Sequence, residues 1–409
     1  MLSLINIIAL TLAVTAAPAP VPDAYLFDEL ISGVAGSVEK LTNINTEKNR
    51  IGKPDIFEKN PELFELHEKL VKIESISNDE DSVSAFLQNY LKKLGLKVKT
   101  DESNRNIYAY SGDSENSTIL LTSHIDTVPP FIDYHFEDDN DDVKIFGRGS
   151  CDAKGSVAAQ VIAAKELVEE NLVKPEDISM LFVFEEEVGG GGMRTANSWV
   201  NDNYITWDTV IFGEPTENKL ATGHKGIYLA ELEVFGLASH SGYPDVGIDA
   251  NKILIEIMYD LENYDWPTSE ILNKTTVNIG LFSGGTAGNV VSPYAQCEIL
   301  MRTVTDSDQI IPIVRQIVEK HGSLAESFRL DVQVTDDPVT LDFEVEGFET
   351  YIASYATDIP KLEHKNFKRY LYGPGSILVA HGDNEHVSAK SLLKAVEDYK
   401  TLVKRSLGI

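Results

Sequence analysis

The sequence contains very little cysteine. Cys151 and Cys297 are the only two among 409 residues, which excludes a fold held together by several disulfides. We expect Cys151, in the segment GRGSCDAKG, to be a small buried residue in a tight turn. The chain also lacks a Gly-x-Ser-x-Gly motif, since Ser376 in GPGSI has no second glycine after it. This absence argues against a serine hydrolase with a nucleophile elbow.

Basic residues are few compared with acidic ones. The chain has 35 Lys and Arg against 65 Asp and Glu, which gives a formal charge of −30. Nucleic acids and anionic membranes favour basic patches, through counterion release and surface attraction. We therefore expect no nucleic-acid partner and no anionic membrane surface, and we interpret the acidic surplus as a contribution to solubility.

Long apolar runs are missing beyond the N-terminus. The first 20 residues, MLSLINIIALTLAVTAAPAP, have an apolar centre followed by small residues, which predicts a secretory signal peptide at residues 1–17. The segment departs from the usual pattern because no Lys or Arg precedes the apolar centre, and the first Lys is Lys40. An uncleaved anchor is the alternative, although the run is short and Pro18 and Pro20 follow it closely.

A signal peptide predicts a secreted protein with no membrane association after cleavage, with a vacuolar location as the less favoured alternative. Two sequons, Asn116-Ser117-Thr118 and Asn273-Lys274-Thr275, are candidate glycosylation sites on a eukaryotic secretory route.

Helical and strand patterns alternate in the first half of the chain. Apolar residues at helical spacing predict helices over 61–76, 82–94 and 155–171. The apolar runs in STILLTSH, ISMLFVFEE and DTVIFGEP predict buried strands. Strand, helix and strand in this order indicate an α/β fold, with helices covering a sheet and ligands at the strand ends.

The pattern changes near Gly223. Strand IYLAELEVFG, a helix over 249–264, two further strands, a helix over 307–321 and strand RLDVQV give the order βαββαβ. We interpret this part as a ferredoxin-like domain inserted into the first domain. The predicted boundaries are 55–218 for the first part, 219–335 for the insert, and 336–409 for a return through helices and one more loop.

Five segments place acidic or imidazole side chains at the ends of apolar runs. They are His124 with Asp126 in HIDTVP, Asp152 in GRGSCDAKG, Glu185 to Glu187 in EEEVGG, Glu214 in GEPT and His381 in VAHGDNEH. A single such residue is usually structural. The EEE run, however, follows an apolar strand and precedes Gly189, which indicates the mouth of a cleft. Histidine and carboxylate side chains are typical ligands of zinc.

In their order along the chain, HIDTVP, GRGSCDAKG, EEEVGG, GEPT and GPGSILVAHGDNE resemble the motifs of the di-zinc amidohydrolase and carboxypeptidase family. Its members include acetylornithine deacetylase, succinyl-diaminopimelate desuccinylase, aminoacylases and secreted fungal carboxypeptidases. The resemblance extends from about residue 60 to the C-terminus. It implies a zinc-peptidase-like catalytic domain with a mixed sheet covered by helices, and it makes the inserted ferredoxin-like domain a lid and dimerisation domain.

The resemblance also implies a set of metal ligands. Asp152 would bridge two zinc ions, His124 and Glu214 would complete one site, and Glu187 and His381 would complete the other. Two Zn²⁺ ions, three carboxylates and one bridging hydroxide form a neutral cluster, which a cleft of low dielectric tolerates. Cobalt or manganese are alternatives because they accept similar ligands.

Two more roles follow from the resemblance. Asp126 would fix the tautomer of His124, since residues two apart in an extended strand point the same way. Glu186 would be the general base, which takes a proton from the attacking water and delivers it to the leaving amine. An assignment shifted by one residue within the EEE run is the alternative, and Glu185 receives no catalytic task.

Three residues of the inserted domain also match the family. His240 would stabilise the oxyanion, usually from the partner subunit of a homodimer, and Asn289 and Arg302 would bind the substrate's carboxylate. We therefore expect a secreted zinc amidohydrolase that cleaves an amide bond next to a free carboxylate of a small peptide, with a carboxypeptidase favoured. The alternatives are an N-acyl-amino-acid deacylase of the acetylornithine deacetylase type and a non-catalytic zinc-binding protein on the same fold.

Overall fold

The computed structural model describes residues 53–363 and 366–409. The predicted signal peptide lies outside these residues. None of the helices in the described part combines the length and the apolar character that a bilayer span requires. The chain divides into an N-terminal unit, Met1–Lys59, and a larger unit, Asn60–Ile409. Helix α1 (Asp55–Lys59) belongs to the first unit, and all other elements belong to the second.

A six-stranded mixed sheet forms the first layer of the larger unit. Its strands are β1 (Lys97–Thr100), β2 (Ile107–Tyr110), β3 (Ile119–His124), β6 (Ile178–Val183), β7 (Thr209–Phe212) and β17 (Lys368–Leu371). They lie in the order β1-β2-β6-β3-β7-β17, in which β6, β3, β7 and β17 are parallel. Every residue of β3, β6 and β7 is buried, as apolar runs without alternation predict.

Helices cover this sheet. They are α2 (Pro61–Lys72), α3 (Asp81–Lys93), α4 (Lys154–Glu169), α5 (Gly191–Asp202) and α8 (Ala389–Leu407). Helix α4 is buried on all sides from Lys154 through Ala164 because it packs against β3, α2 and α8 at once. Its small apolar residues allow this close approach, and a helix that is apolar all round is expected to be buried.

The inserted part forms a second, smaller sheet. Its strands are β9 (Gly226–Phe235), β12 (Thr276–Gly284), β13 (Tyr294–Thr303) and β14 (Ser327–Asp336), and its helices are α6 (Ala250–Asn263) and α7 (Ser307–Lys320). The antiparallel order is β12-β13-β9-β14. In β9 and β13 buried residues alternate with half-buried ones, as period-two patterning predicts. The predicted fold class, with its βαββαβ insert, is confirmed, whereas the boundaries at 218, 335 and 336 stay predictions.

Two segments differ from the sequence-based expectation. The acidic stretch after HIDTVPP, for which no strand was predicted, forms a hairpin of β4 (His135–Asp139) and β5 (Asp142–Phe146), extended by β18 (His386–Ser388). The last segment, expected to contain helices and a loop, also supplies β15 (Val339–Thr340) and β16 (Thr350–Ala353), which flank β8 (Leu220–His224). A minor hairpin joins β10 (Thr268–Ser269) and β11 (Asn273–Lys274). Strands this short carry too few residues to show a period.

Candidate active site

The carboxyl ends of three neighbouring parallel strands deliver most of the predicted ligands. His124 is the last residue of β3, Glu186 and Glu187 follow β6, and Glu214 follows β7. Since β3 lies between β6 and β7 and runs parallel to both, these ends meet at one edge of the sheet. Open parallel sheets bind their ligands at this edge.

A buried ion pair joins the two remaining ligands. Glu385 Oε1 accepts the backbone N–H groups of Cys151 and Asp152, each at 3.2 Å. Arg148 Nη1 donates to Glu385 Oε2 at 2.6 Å, and its Nη2 donates to the carbonyl oxygen of His381 at 3.3 Å. The turn that carries Asp152 is therefore tied to the loop that carries His381. Cys151 is buried in this turn, as expected.

All five predicted metal ligands lie together. His124 Nε2 is 3.1 Å from Asp152 Oδ1 and 3.7 Å from Glu214 Oε1. His381 Nε2 is 3.0 Å from Glu187 Oε2 and 3.4 Å from Asp152 Oδ2. Each oxygen of Asp152 thus faces a different imidazole, which is the arrangement that a bridging carboxylate needs.

Two overlapping groups of ligand atoms emerge from this cluster. Atoms of His124, Asp152 and Glu187 lie within 4.8 Å of one another, and so do atoms of His124, Glu186 and Glu214. Glu186 is thus close enough to the predicted ligands to serve a reaction beside them. The contact with His381 belongs to Glu187, whereas Glu186 lies with His124 and Glu214; Glu187 as the ligand and Glu186 as the base stay predictions.

The cluster carries more negative charge than the nearby protein groups balance. Burial and the charge of Asp152 raise the pKa of Glu187 to about 6, and they raise that of Glu214 well above its usual value. Burial would lower the pKa of His124, but the carboxylate of Glu214 and its other acidic neighbours hold it well above its usual value. Glu187 Oε1 is buried and accepts no hydrogen bond from the described residues. Such a set of carboxylates and imidazoles fits a divalent cation such as zinc.

Asp126 contacts both the imidazole and the acidic segment. Its carbonyl oxygen lies 3.1 Å from His124 Nδ1, and its Oδ1 lies 3.4 Å from the same atom. Its carboxylate accepts the backbone N–H groups of Glu186 at 3.1 Å and Glu187 at 3.2 Å, and the hydroxyl of Ser77 at 2.8 Å. The residue predicted to orient His124 therefore also holds the backbone of the predicted base.

A cavity of about 240 Å³ opens onto the cluster. Arg302 of β13 lines this cavity together with Glu186, so the inserted domain supplies part of its wall. The Arg302 guanidinium makes no hydrogen bond or ion pair with residues 53–363 or 366–409. His240 and Asn289 do not line the cavity. Both are exposed in the inserted domain, in adjacent segments bridged at His240 and Val290.

The sequence did not single out several residues of the cavity wall, namely Tyr355, Thr357, Asp358 and Lys361. Asp358 is 7% exposed, its Oδ2 accepts no hydrogen bond from the described residues, and burial raises its pKa to about 6. An acidic residue soon after a strand end is a sequence signal for a site residue. This signal was missed for Asp358, because strand β16 was not predicted. Arg148 and Glu385 did have a signal, since both stand inside quoted motifs.

The sequence is similar to one known protein family and to several of its members. The profile of Peptidase family M20/M25/M40 matches residues 120–405. A Peptidase M20 domain-containing protein of Schizosaccharomyces pombe is 42% identical over 351 residues, which cover 84% of this chain and 85% of that protein. A probable carboxypeptidase of Arthroderma gypseum is 39% identical over 428 residues, covering 93% and 91%.

The fold is also shared with a solved structure. An M20 family metallo-carboxypeptidase from Sulfolobus solfataricus has a TM-score of 0.67 at 18% identity, over 85% of this chain and 100% of that one. The enzyme class and the family predicted from the motifs are thereby confirmed. Because the profile covers more than half of the chain, this protein belongs to Peptidase family M20/M25/M40 and is a metallopeptidase.

Proposed function

We propose that this metallopeptidase is a secreted zinc carboxypeptidase that hydrolyses the amide bond next to the free carboxylate of a small peptide. The observation that carries this proposal is the position of Arg302, which lines the cavity of the ligand cluster and makes no hydrogen bond or ion pair with the described residues, although the charge of Glu186 acts on it. A guanidinium binds a carboxylate through two parallel hydrogen bonds. The relatives named probable carboxypeptidases support the same substrate class.

Two zinc ions per subunit fit the ligand set best. Asp152 would bridge them, with His124 and Glu214 at one ion and Glu187 and His381 at the other. Three ligand carboxylates and one hydroxide balance two divalent ions, and cobalt or manganese would be balanced in the same way. When bound, such ions lower the pKa of water and polarise a carbonyl group.

Glu186 then moves the proton. Its carboxylate accepts a proton from the attacking water while the water oxygen bonds to the carbonyl carbon, and it donates that proton to the nitrogen when the C–N bond breaks. The products are a new carboxyl group and a free amine. Burial and the charge of Glu214 raise the pKa of Glu186 well above its usual value, which suits a group that must hold a proton between the two steps. Arg302 would hold the substrate's carboxylate during both.

The variant Glu186→Gln tests this mechanism. We expect kcat to fall about 10²- to 10⁴-fold with the zinc content unchanged, because the amide cannot accept the proton. The control is Glu176→Gln, the same change at an exposed position. Unchanged hydrolysis in Glu186→Gln would refute the mechanism. Zinc binding without turnover of any substrate by the native protein would support the non-catalytic alternative.

The same assay separates a carboxypeptidase from a deacylase. Dipeptides and N-acyl amino acids with the same C-terminal residue are compared, with and without a chelator. We expect the higher kcat/KM for peptides, because several relatives are named probable carboxypeptidases. A higher value for N-acyl amino acids would assign the enzyme to the deacylase alternative.

Secretion is proposed from the N-terminal segment and supported by the exposure of both sequon residues, Asn116 and Asn273. We expect the protein in the culture medium to start after residue 17 and to lose mass on treatment with an endoglycosidase. N-terminal sequencing and mass spectrometry check both points. An intact N-terminus or retention in the vacuole would contradict the proposal.

We also propose a homodimer through the inserted domain. The outer strand β12 exposes Leu281 at 66% and Phe282 at 68%, and an apolar sheet edge favours pairing with another chain. His240 and Asn289 lie away from their own cavity, so a partner's cavity is where they would act.

Co-expressed Glu186→Gln and His240→Ala chains test the proposed dimer, because each mixed dimer contains one intact site. Activity above that of either variant alone supports the dimer, and a monomer in light scattering refutes it.

A further inference from the structure

Two buried carboxylates hold three successive backbone N–H groups of the acidic segment 185–187. The N–H of Glu185 donates to Glu80 Oε1 at 3.3 Å, and those of Glu186 and Glu187 donate to Asp126. Asp126 belongs to the metal centre. Glu80 is not a predicted ligand and does not line the cavity. It immediately precedes α3, and its side chain is fully buried.

Arg105 completes this arrangement. Its Nη1 lies 2.9 Å from Glu80 Oε2 and 3.3 Å from Glu185 Oε1. Its guanidinium carbon lies 4.0 Å from the centre of the Phe184 ring, at the distance of a cation–π contact. A buried carboxylate is unfavourable without a cation, and Arg105 supplies that cation for Glu80. Arg105 also contacts Phe184 and Glu185, where the chain enters the acidic segment.

The backbone between β6 and the cavity needs this support. Glu185 has a φ of 54°, in the left-handed region that is unfavourable for a non-glycine residue. This conformation turns the chain so that the side chain of Glu185 reaches Arg105 while Glu186 and Glu187 line the cavity. The contacts with Glu80 and Arg105 hold the residue in a conformation that it would otherwise leave.

We propose that Glu80 and Arg105 are positioning residues for the general base. By holding Glu185 in its left-handed conformation, they set the places of Glu186 and Glu187 without lining the cavity themselves. This inference rests on the proposed function of Glu186. A displacement of about 1 Å at a reacting group can lower a rate about 10²-fold, so a small relaxation of this segment has a large effect.

The variants Glu80→Gln and Arg105→Met test the proposal. We expect kcat to fall about 10- to 100-fold, KM to change less than about two-fold, and the amides of 185–187 to exchange hydrogen faster. Zinc affinity, measured by competition with a chelator, should also fall because Glu187 is displaced. Adding Glu185→Gly to Glu80→Gln should restore part of kcat, since glycine adopts positive φ without strain. Because glycine at a positive φ also stabilises the fold, kcat is compared per folded molecule, which separates the rescue from a general gain of stability.

Lys400→Met is the matched control. It removes a partly buried cation that pairs with Glu166 of α4, away from the cavity, and should leave kcat unchanged. Arg105→Lys keeps the charge and provides a milder variant if Arg105→Met folds poorly. Native kcat per folded molecule in both test variants, with native amide exchange at 185–187, would overturn the inference. If the native protein hydrolyses no substrate, the proposed function fails instead, and the exchange and zinc measurements still decide whether the pair holds the segment.

Discussion

Asp126 contacts both His124, a predicted ligand, and the backbone of Glu186, the predicted base. In Asp126→Asn one oxygen becomes an N–H donor that faces the backbone N–H of Glu186 or Glu187, so one of these hydrogen bonds is lost. We expect zinc affinity to fall about 10- to 100-fold, together with kcat. Competition with a chelator and steady-state kinetics measure the two effects. Ser77→Ala is the control, because it removes one hydrogen bond to Asp126 and leaves both amides bound. Native zinc affinity in Asp126→Asn would contradict the role.

Arg302 is the residue that we predict to bind the substrate's carboxylate. In Arg302→Met we expect KM for a peptide with a free carboxylate to rise about 10- to 100-fold, as the loss of a charged hydrogen-bonded pair predicts. The C-terminally amidated peptide should show no such change. Lys361→Met is the matched control, since Lys361 lines the same cavity but is paired with Asp336. An equal rise in KM for both peptides would show that Arg302 does not bind the substrate's carboxylate.

Between elements, the Arg148–Glu385 pair connects the turn before α4 to the loop after β17. Both side chains are 1% exposed, so Glu385→Gln leaves the Arg148 charge buried without its partner. We expect the free energy of unfolding to fall about 3–5 kcal/mol, measured by urea denaturation of the zinc-free protein. The exposed pair Glu68–Lys72 on α2 is the control, and Lys72→Met should cost less than about 1 kcal/mol. Equal losses in the two variants would contradict the prediction.

The elements differ in how well the sequence predicts them. Strands β3, β6 and β7 were predicted because they lie in mainly apolar runs, helix α4 because its apolar residues recur at helical spacing, and β9 and β13 because they alternate over ten residues. The hairpin β4–β5 was not predicted, since its acidic residues conceal the partly buried face of β5. Strand β16 has only four residues and pairs with a strand more than a hundred residues away. Such pairing is a property of the folded chain and has no local signal.

On the scale of the whole molecule, the predicted ligands come from β3, the turn before α4, the ends of β6 and β7, and the loop after β17. Ions bound by all of them would stabilise the folded state, by about 4 kcal/mol when the free ion concentration is a thousand times Kd. We expect a chelator to lower Tm in circular dichroism and added zinc to restore it. In His381→Ala we expect a smaller difference in Tm between the zinc-treated and the chelator-treated protein. A native protein with the same Tm under both conditions would refute the shared site.

The sequence by itself determined the family, the α/β order and the inserted βαββαβ unit, and it predicted which side chains gather as candidate metal ligands. It could do so because these signals are local: apolar runs of strand or helix length, and short motifs at strand ends. Only the tertiary structure decided that Arg302 lines the cavity while His240 and Asn289 stay outside it. It alone also revealed that Glu80 and Arg105 contact Glu185, next to the predicted base, and that Arg148 reaches Glu385, 237 positions away. Contacts between residues so far apart depend on how whole elements pack, which no local pattern encodes.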